Sequence, residues 1–339
     1  MQRVEIMKIY DVTLRDGSHA VDHKITSDQI CKYCKHVDLT GVDYVEVGHG
    51  IGIGASSLLI GRGALTDIEM LRIARRHLHR AKLSIHIVPG YGTIDDIAEA
   101  LEAGVDSVRV ASHCTEADIT KKHIKYLSNR NVEVFGGLMM IHLATDEQLL
   151  DQCKRMKDYG VKCITLLDSA GNFTPARVTK LVKFLRENAK IEIGFHAHDN
   201  LGLSIGNSLA AIAGGATMLD ASINGFGAGA GNASLENLAA AMELECASNE
   251  LKLPSVLDLA TIGQQLFASD SVKNTNDIIS GLAGVVSVFA KPVTAAARQY
   301  QVDPKEIYFE LGRLKAIAGQ EDLIIEVAQR ISRNTKHKK

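Results

Sequence analysis

The sequence has no tryptophan and no marked excess of either charge: 38 Lys and Arg oppose 40 Asp and Glu, a formal net charge of −2. The missing tryptophan carries no functional meaning. The missing charge excess does, because no global field recruits nucleic acid or an anionic membrane, and neither is expected as a partner. No apolar run reaches the roughly 18 residues a membrane-spanning helix needs, and residues 1–10 mix polar and apolar side chains without a secretory core. Six cysteines are scattered at positions 31, 34, 114, 153, 163 and 246. Only Cys31 and Cys34 have a motif-like spacing, and no second pair completes a zinc site. They read as structural thiols in a reducing, cytoplasmic compartment. Also missing is the Gly-x-Gly-x-x-Gly turn that opens a dinucleotide-binding sheet. In its place stands Leu14-Arg15-Asp16-Gly17-Ser18-His19. The basic end at 336–339 reads as a solubilising tail.

What is present is alternation. Short β-branched runs at 8–16, 44–48, 83–89, 107–112, 132–140, 163–169, 192–199 and 218–224 read as strands. Helical patterns lie between them at 27–39, 66–80, 93–103, 116–130, 145–159, 175–188 and 203–213. Gly41, Gly104, Gly160 and Gly215 follow helical stretches and suit left-handed C-terminal caps. Eight βα units of about 30 residues predict a closed (β/α)₈ TIM barrel. Beyond Pro254 the strands stop and helical stretches follow at 255–267, 293–300, 305–318 and 320–332. The expected division is a catalytic barrel over 1–265 and a helical C-terminal region over 266–339 that packs on the barrel or on a partner.

A barrel active site forms at the C-terminal ends of the strands, so the polar residues there are the candidates. They are Arg15, Asp16 and His19 after the first strand, Glu46 and His49 at the second, and His86 on the third. His113, His142, Asp168 and Ser169 follow on the next three, then His196, His198 and Asn224 on the last two. His196-x-His198 is the sharpest signal, because residues two apart on a strand share a face and their imidazoles converge. A hydrogen-bonded structural pair is the alternative for that dipeptide alone. Asp16, on a strand that closure brings close, supplies the third ligand of an open carboxylate–imidazole site. Such a set suits Mn²⁺, Mg²⁺, Co²⁺ or Zn²⁺, and an oxo-acid substrate favours Mn²⁺ or Mg²⁺. Arg15 beside the metal can stabilise a developing enolate oxygen. His19 has an imidazole suited to general base work. Ser169 either hydrogen-bonds a carboxylate or oxo group, or caps the next helix. The glycine-rich run 225–232 reads as a phosphate nest or as a flexible closure, with Asn232 reaching the metal or its water.

The motifs Asp11-Val-Thr-Leu-Arg-Asp-Gly17, Gly194-Phe-His-Ala-His-Asp-Asn-Leu-Gly202 and Gly225-Phe-Gly-Ala-Gly-Ala-Gly-Asn232 resemble the metal-dependent lyases and synthases of pyruvate-type chemistry. Among these the sequence is most similar to the 4-hydroxy-2-oxovalerate aldolases. His19-Ala20, Pro89-Gly90-Tyr91-Gly92-Thr93, Asp168-Ser169-Ala170-Gly171 and Ala318-Gly319-Gln320-Glu321-Asp322 carry that similarity along nearly the whole chain. The resemblance implies retro-aldol cleavage of a 4-hydroxy-2-oxo acid to pyruvate and an aldehyde. Asp16, His196 and His198 would hold Mn²⁺ (or Mg²⁺ or Co²⁺). Arg15, Asp16, Ser169 and His196 would contact substrate, and His19 would take the proton of the 4-hydroxyl. It also implies an acylating aldehyde dehydrogenase as partner, in a heterotetramer-like assembly, with a homo-oligomer as the other possibility.

The departures cluster on the acceptor side. Val286 stands where these aldolases generally carry a tyrosine that shapes the aldehyde pocket. His86 stands in a stretch that is usually leucine-rich, Ser18 where a methionine is common, and His49-Gly-Ile-Gly-Ile-Gly54 replaces a more acidic version. The expectation is a conserved pyruvate half and an altered aldehyde half, with His86 and Val286 in the acceptor pocket. Two alternatives stand beside it. One is an acyl-CoA-dependent 2-oxo acid synthase using Glu46 as a strand-2 catalytic carboxylate. The other is a non-enzymatic barrel partner of a dehydrogenase.

Overall fold

The computed structural model describes residues 6–245, 247–267 and 275–336. Cys246 and residues 337–339 of the basic end lie outside the described residues. Eight parallel strands, β1 (Lys8–Asp11), β2 (Tyr44–Glu46), β3 (Lys82–Ile87), β4 (Ser107–His113), β5 (Glu133–Met139), β6 (Cys163–Asp168), β7 (Glu192–Ala197) and β8 (Met218–Ala221), close in sequential order into a barrel. Closure is made where Tyr10 pairs in register with Asp220. Around the barrel run α1 (Ser27–Val37), α2 (Asp67–Arg75), α3 (Ile94–Glu102), α4 (Lys121–Ser128), α5 (Asp146–Tyr159), α6 (Pro175–Ala189), α7 (Ser204–Ala213), α8 (Leu235–Leu244) and α9 (Leu253–Leu266).

Strand parity explains both sides of the wall. Ile9, Val45, Leu83, Ile85, Val108, Val110, Ile164, Leu166, Ile193 and Leu219 alternate outward and pack under the helices in one continuous core. The intervening residues point inward. Tyr10, Val12, Tyr44, Phe135, Cys163 and Met218 form a separate apolar plug there. Tyr10 and Tyr44 stack at 4.5 Å, with Phe135 edge-on to both. This plug closes the bottom of the barrel and leaves the C-terminal mouth for polar groups.

Turn chemistry sets the element ends. α1, α2, α3 and α5 each begin with a threonine capping box, Thr26/Gln29, Thr66/Glu69, Thr93/Asp96 and Thr145/Gln148. Such caps are typically worth about 1 kcal/mol. Gly41, Gly104, Gly160 and Gly215 all take positive φ, between 89° and 116°. Most strands end before their apolar patterns do, the first and last by the most. The first ends at Asp11, because the Asp11 carboxylate accepts the Thr13 amide at 2.8 Å and turns the chain out of the ladder. Arg15 and Asp16 therefore sit on a loop and on the 3₁₀ turn Asp16–Val21. The last ends at Ala221, and Asn224 takes the left-handed conformation within the 3₁₀ turn Ile223–Gly225. The helix expected over 116–130 divides into a 3₁₀ turn at Ala117–Thr120 and α4.

Beyond the barrel lie α10 (Thr275–Ala283), α11 (Ala290–Tyr300), α12 (Pro304–Leu314) and α13 (Asp322–Lys336). The pattern over 305–318 ends early because Lys315 adopts the left-handed conformation at the α12 cap. These helices enclose a second apolar cluster of Val285, Val286, Phe289, Val293, Ile307, Leu311, Ile324 and Val327, joined by Met140 of the barrel. Among the described residues no helix is long and apolar enough to cross a membrane.

Candidate metal centre and active site

Three side chains meet at the barrel mouth. Asp16, His196 and His198 each offer one ligand atom, and these atoms lie within 4.8 Å of one another, all buried. His196 lies on β7 with His198 just past its end, so parity aims both rings inward. Their Nε2 atoms are 3.3 Å apart. His196 Nδ1 faces Asp220 Oδ2 at 3.0 Å, which places the ring proton on Nδ1 and leaves Nε2 bare. Burial pushes the His198 imidazole down to about 4, so this ring is neutral near pH 7. Two bare ring nitrogens facing a carboxylate form an N, N, O donor set for a divalent cation. An orphaned polar atom supports the fit: Asn232 Oδ1 is buried without a hydrogen-bond partner.

Asp16 is held from three sides. Arg15 Nη1 donates to Oδ1 at 2.9 Å, Asn232 Nδ2 donates to Oδ2 at 2.9 Å, and the Ala228 amide donates to Oδ2 at 3.2 Å. Burial opposes its charge, but Arg15 and the neighbouring imidazoles outweigh it and hold the carboxyl below the ordinary range. The glycine-rich run thus serves Asp16. A Cβ on Gly227 would stand 2.8 Å from Asp16 Oδ2 and 2.5 Å from Asn232 Nδ2, so no larger residue fits. The Ala228 amide and Asn232 are committed to this carboxylate, and the amides of Gly225, Phe226, Gly231 and Asn232 to backbone carbonyls, which leaves few for a phosphate. Asn232 lies beside the ligand set with its Oδ1 free.

Arg15 is 4 % exposed. Its Nε donates to Glu46 Oε2 at 2.8 Å and its Nη1 also reaches the Gly50 carbonyl at 3.2 Å, while Nη2 is buried without a partner. Glu46 is fully buried in these contacts, which removes it as an open catalytic carboxylate. His19 lines the same cavity, and burial lowers its imidazole to about 4. Gly50 lets it approach, since a Cβ there would stand 2.5 Å from His19 Nε2. Ser169 does not cap a helix: α6 starts at Pro175 after Thr174. Its hydroxyl oxygen accepts the Met140 amide at 3.0 Å, and it borders the cavity.

The cavity measures about 100 Å³. Arg15, Asp16, His19, His196 and His198 form its polar wall. Met139, Leu167, Val286, Val288 and Ala318 add apolar lining, and His86 also borders the cavity, its Nδ1 3.9 Å from Glu46 Oε1. The other strand-end residues are elsewhere. His49 stacks on His23 at 3.8 Å, and His113 bonds Thr115. His142 contacts the Gly284 carbonyl at 2.9 Å. Asp168 accepts the Asn172 and Phe173 amides, and Asn224 is exposed. Sequence reasoning missed Arg109 and Asp220, which lie under the ligands. Their signal was a charge inside an apolar parallel strand, in Val108-Arg109-Val110 and Leu219-Asp220-Ala221.

The protein is a closed (β/α)₈ barrel with two imidazoles and a carboxylate gathered at its mouth as a candidate metal site. Its model match is the HMGL-like family, over residues 6–262, and a DmpG-like communication domain matches residues 272–333. A relative from Spirochaeta aurantia, named 4-hydroxy-2-oxovalerate aldolase, is 48% identical over 95% of this chain and 95% of its own length. One of the same name from Pectobacterium atrosepticum is 46% identical over 96% of each. A solved N-terminal domain of a putative aldolase from Bacteroides vulgatus is 25% identical with a TM-score of 0.72, covering 83% of this chain and 94% of that one. The chain belongs to the 4-hydroxy-2-oxovalerate aldolase family, and with it to the carbon–carbon lyases.

Proposed function

We propose that this protein cleaves a 4-hydroxy-2-oxo acid to pyruvate and an aldehyde, and runs the reverse addition, with a divalent cation held by Asp16, His196 and His198. The observation that carries this is the convergence of those three ligands beside the unpartnered Arg15 Nη2. Mn²⁺ suits the mixed donor set, with Mg²⁺ or Co²⁺ as substitutes. A bound cation supplies Lewis-acid polarisation of the 2-oxo group. Arg15 Nη2 is the donor for the oxygen that gains charge as the C3–C4 bond breaks. His19, neutral near pH 7, accepts the 4-hydroxyl proton. The Ser169 hydroxyl, whose oxygen accepts the Met140 amide, donates at 3.4 Å to the Leu167 carbonyl and turns that hydrogen to the substrate's acid end on binding.

The acceptor half lies against His86 and Val286, where an isopropyl group replaces a phenol and the wall is apolar. We assign the catalytic unit to 1–265 and the partner-contact region to 266–339. The communication-domain match supports contact with an acylating aldehyde dehydrogenase, with self-association as the other outcome of a mass measurement. Free thiols at the five described cysteines accord with a reducing, cytoplasmic setting. The test is an assay of 2-oxo acid cleavage over a small substrate panel with Mn²⁺ restored after chelation. Activity that depends on Mn²⁺ and vanishes in Asp16→Asn is expected. Turnover unchanged by chelation, or retained in Asp16→Asn, would overturn the assignment. Release of free thiol from acetyl-CoA with a 2-oxo acid would favour the synthase instead.

A further inference from the structure

Beneath the metal ligands lies a layer of charge that the proposed chemistry does not use. Glu46 on β2, Arg109 on β4 and Asp220 on β8 are at most 1 % exposed. Strand parity turns all three into the barrel. Arg109 pairs with Asp220 through two bonds, Nη1 to Oδ2 at 2.5 Å and Nη2 to Oδ1 at 2.9 Å. Its Nε lies 3.6 Å from Glu46 Oε1, and its guanidinium rests 4.1 Å from the Tyr10 ring centre. Asp220 continues to His196 Nδ1, and Glu46 continues to Arg15 Nε. The path Asp16–Arg15–Glu46–Arg109–Asp220–His196 therefore starts on one metal-ligand residue and ends on another.

Filling the barrel does not require this layer. The plug just below it is apolar and aromatic, and buried ion pairs are commonly no more stable than apolar packing of the same volume. The arrangement instead suits two alignment tasks. Asp220 fixes the His196 proton on Nδ1, so that Nε2 is bare. Glu46 anchors Arg15 Nε, and because the guanidinium is planar this also sets the direction of Nη2. Without Glu46, Arg15 is free to turn both nitrogens onto Asp16 and withdraw Nη2 from the cavity. Three carboxylates and two guanidiniums leave the network one negative charge, a host for a divalent cation that then presents net positive charge to an anionic acid.

We propose that Glu46, Arg109 and Asp220 are positioning residues with separable duties: Asp220 sets the tautomer of His196 for the metal, Glu46 aims Arg15 at the enolate oxygen, and Arg109 locks the two together. This rests on the reading that Asp16, His196 and His198 hold the cation. The experiment titrates Mn²⁺ into chelator-stripped protein by calorimetry. It also records the ¹⁵N-histidine spectrum of the stripped wild type, and follows deuterium exchange into the pyruvate methyl group at saturating Mn²⁺. Asp220→Asn is expected to weaken Mn²⁺ binding about 10–100-fold. Glu46→Gln is expected to keep wild-type Mn²⁺ affinity and slow the exchange by about 100-fold or more. Arg109→Lys should lose on both readouts, and the spectrum should show the Nδ1–H form of His196.

Wild-type Mn²⁺ affinity in Asp220→Asn would overturn the proposal, as would lost affinity in Glu46→Gln or two unchanged readouts in Arg109→Lys. So would an Nε2–H tautomer of His196, a result that needs no variant to fold. Asp16→Asn separates the two levels. If it binds Mn²⁺ like wild type, the metal site itself is misassigned. If it loses Mn²⁺ while Asp220→Asn does not, only the positioning roles fail.

Discussion

Asp16 is the residue on which two segments converge: its neighbour Arg15 and the loop after β8, through the Ala228 amide and the Asn232 amide group, all donate to one carboxylate. Opposite it, Val286 is 3 % exposed and borders the cavity with Val288 and Ala318. A tyrosine there would refill space that an isopropyl group leaves open. Val286→Tyr is expected to lower kcat/KM for longer aldehydes in the addition to pyruvate by about tenfold or more, since each methylene in an apolar pocket is worth roughly 10-fold and upward. Acetaldehyde should be spared. Equal losses across aldehydes of increasing length, or a wild-type enzyme that prefers acetaldehyde above all others, would count against an altered acceptor half. At this scale the sequence was readable where chemistry and period coincide, as in His196-x-His198. It was unreadable where a site residue needs a partner from a strand far along the chain. Nothing local to Asp220 announces Arg109, and only closure of β8 on β1 brings their strands around one interior.

The elements were legible in number and order because period-2 runs and left-handed glycine caps are local signals. Their ends were not, because polar side chains such as Asp11 compete with the ladder over distances that hydropathy does not register. α10 escaped notice for a related reason: Thr275-Asn276-Asp277 reads as a turn until packing defines it. The loop after β7 then becomes the bolt between barrel and C-terminal helices. Asn200 is 2 % exposed. Its Nδ2 donates to Ser280 Oγ at 2.7 Å and to the Asp277 carbonyl at 3.3 Å, and its Oδ1 accepts Ser287 Oγ at 3.0 Å. The Ser287 backbone amide donates a hydrogen bond to the Ser169 carbonyl at 3.2 Å, so the bolt touches a residue that borders the cavity. Asn200→Ala is expected to cost about 1–3 kcal/mol in urea unfolding, because buried hydroxyls lose partners. Amide exchange over 275–289 should rise more than exchange in the strands. Uniform exchange, or no loss of stability, would show that this contact does not tie the helices down.

At the scale of the molecule the mouth is a store of imidazoles kept neutral by burial, and this gives stability a direction with pH. His19, His198 and His142 are each lowered to about 4, first of all by desolvation. Between the ordinary imidazole value near 6.5 and about 4, the unfolded chain takes up protons that the folded chain refuses. Stability contributed by the neutral rings is therefore complete above about pH 6.5 and is lost as pH falls toward 4. Asp11 and Asp168 act in the opposite sense. Burial raises both to about 6, so the folded state holds their protons from that value down to the ordinary carboxylate range near 3.9 and gains stability on acidification there. Asp43, Asp67 and Glu236 are raised by burial as well, but lowered imidazoles, with His86, His23, His49, His113 and His123 added to the three above, outnumber the raised carboxyls, so the histidine sign prevails. Scanning calorimetry of chelator-stripped protein from pH 7.5 to 4.5 is expected to show Tm falling continuously below about pH 6.5. A Tm that rises on acidification would mean the raised carboxyls dominate. Saturating Mn²⁺ should raise Tm at pH 7.5, because a ligand that binds only the folded state stabilises it by mass action. That increment should shrink toward pH 4.5, where protons compete for the ring nitrogens of His196 and His198. An Mn²⁺ increment that does not depend on pH would place the cation on carboxylates alone and remove both histidines from the site.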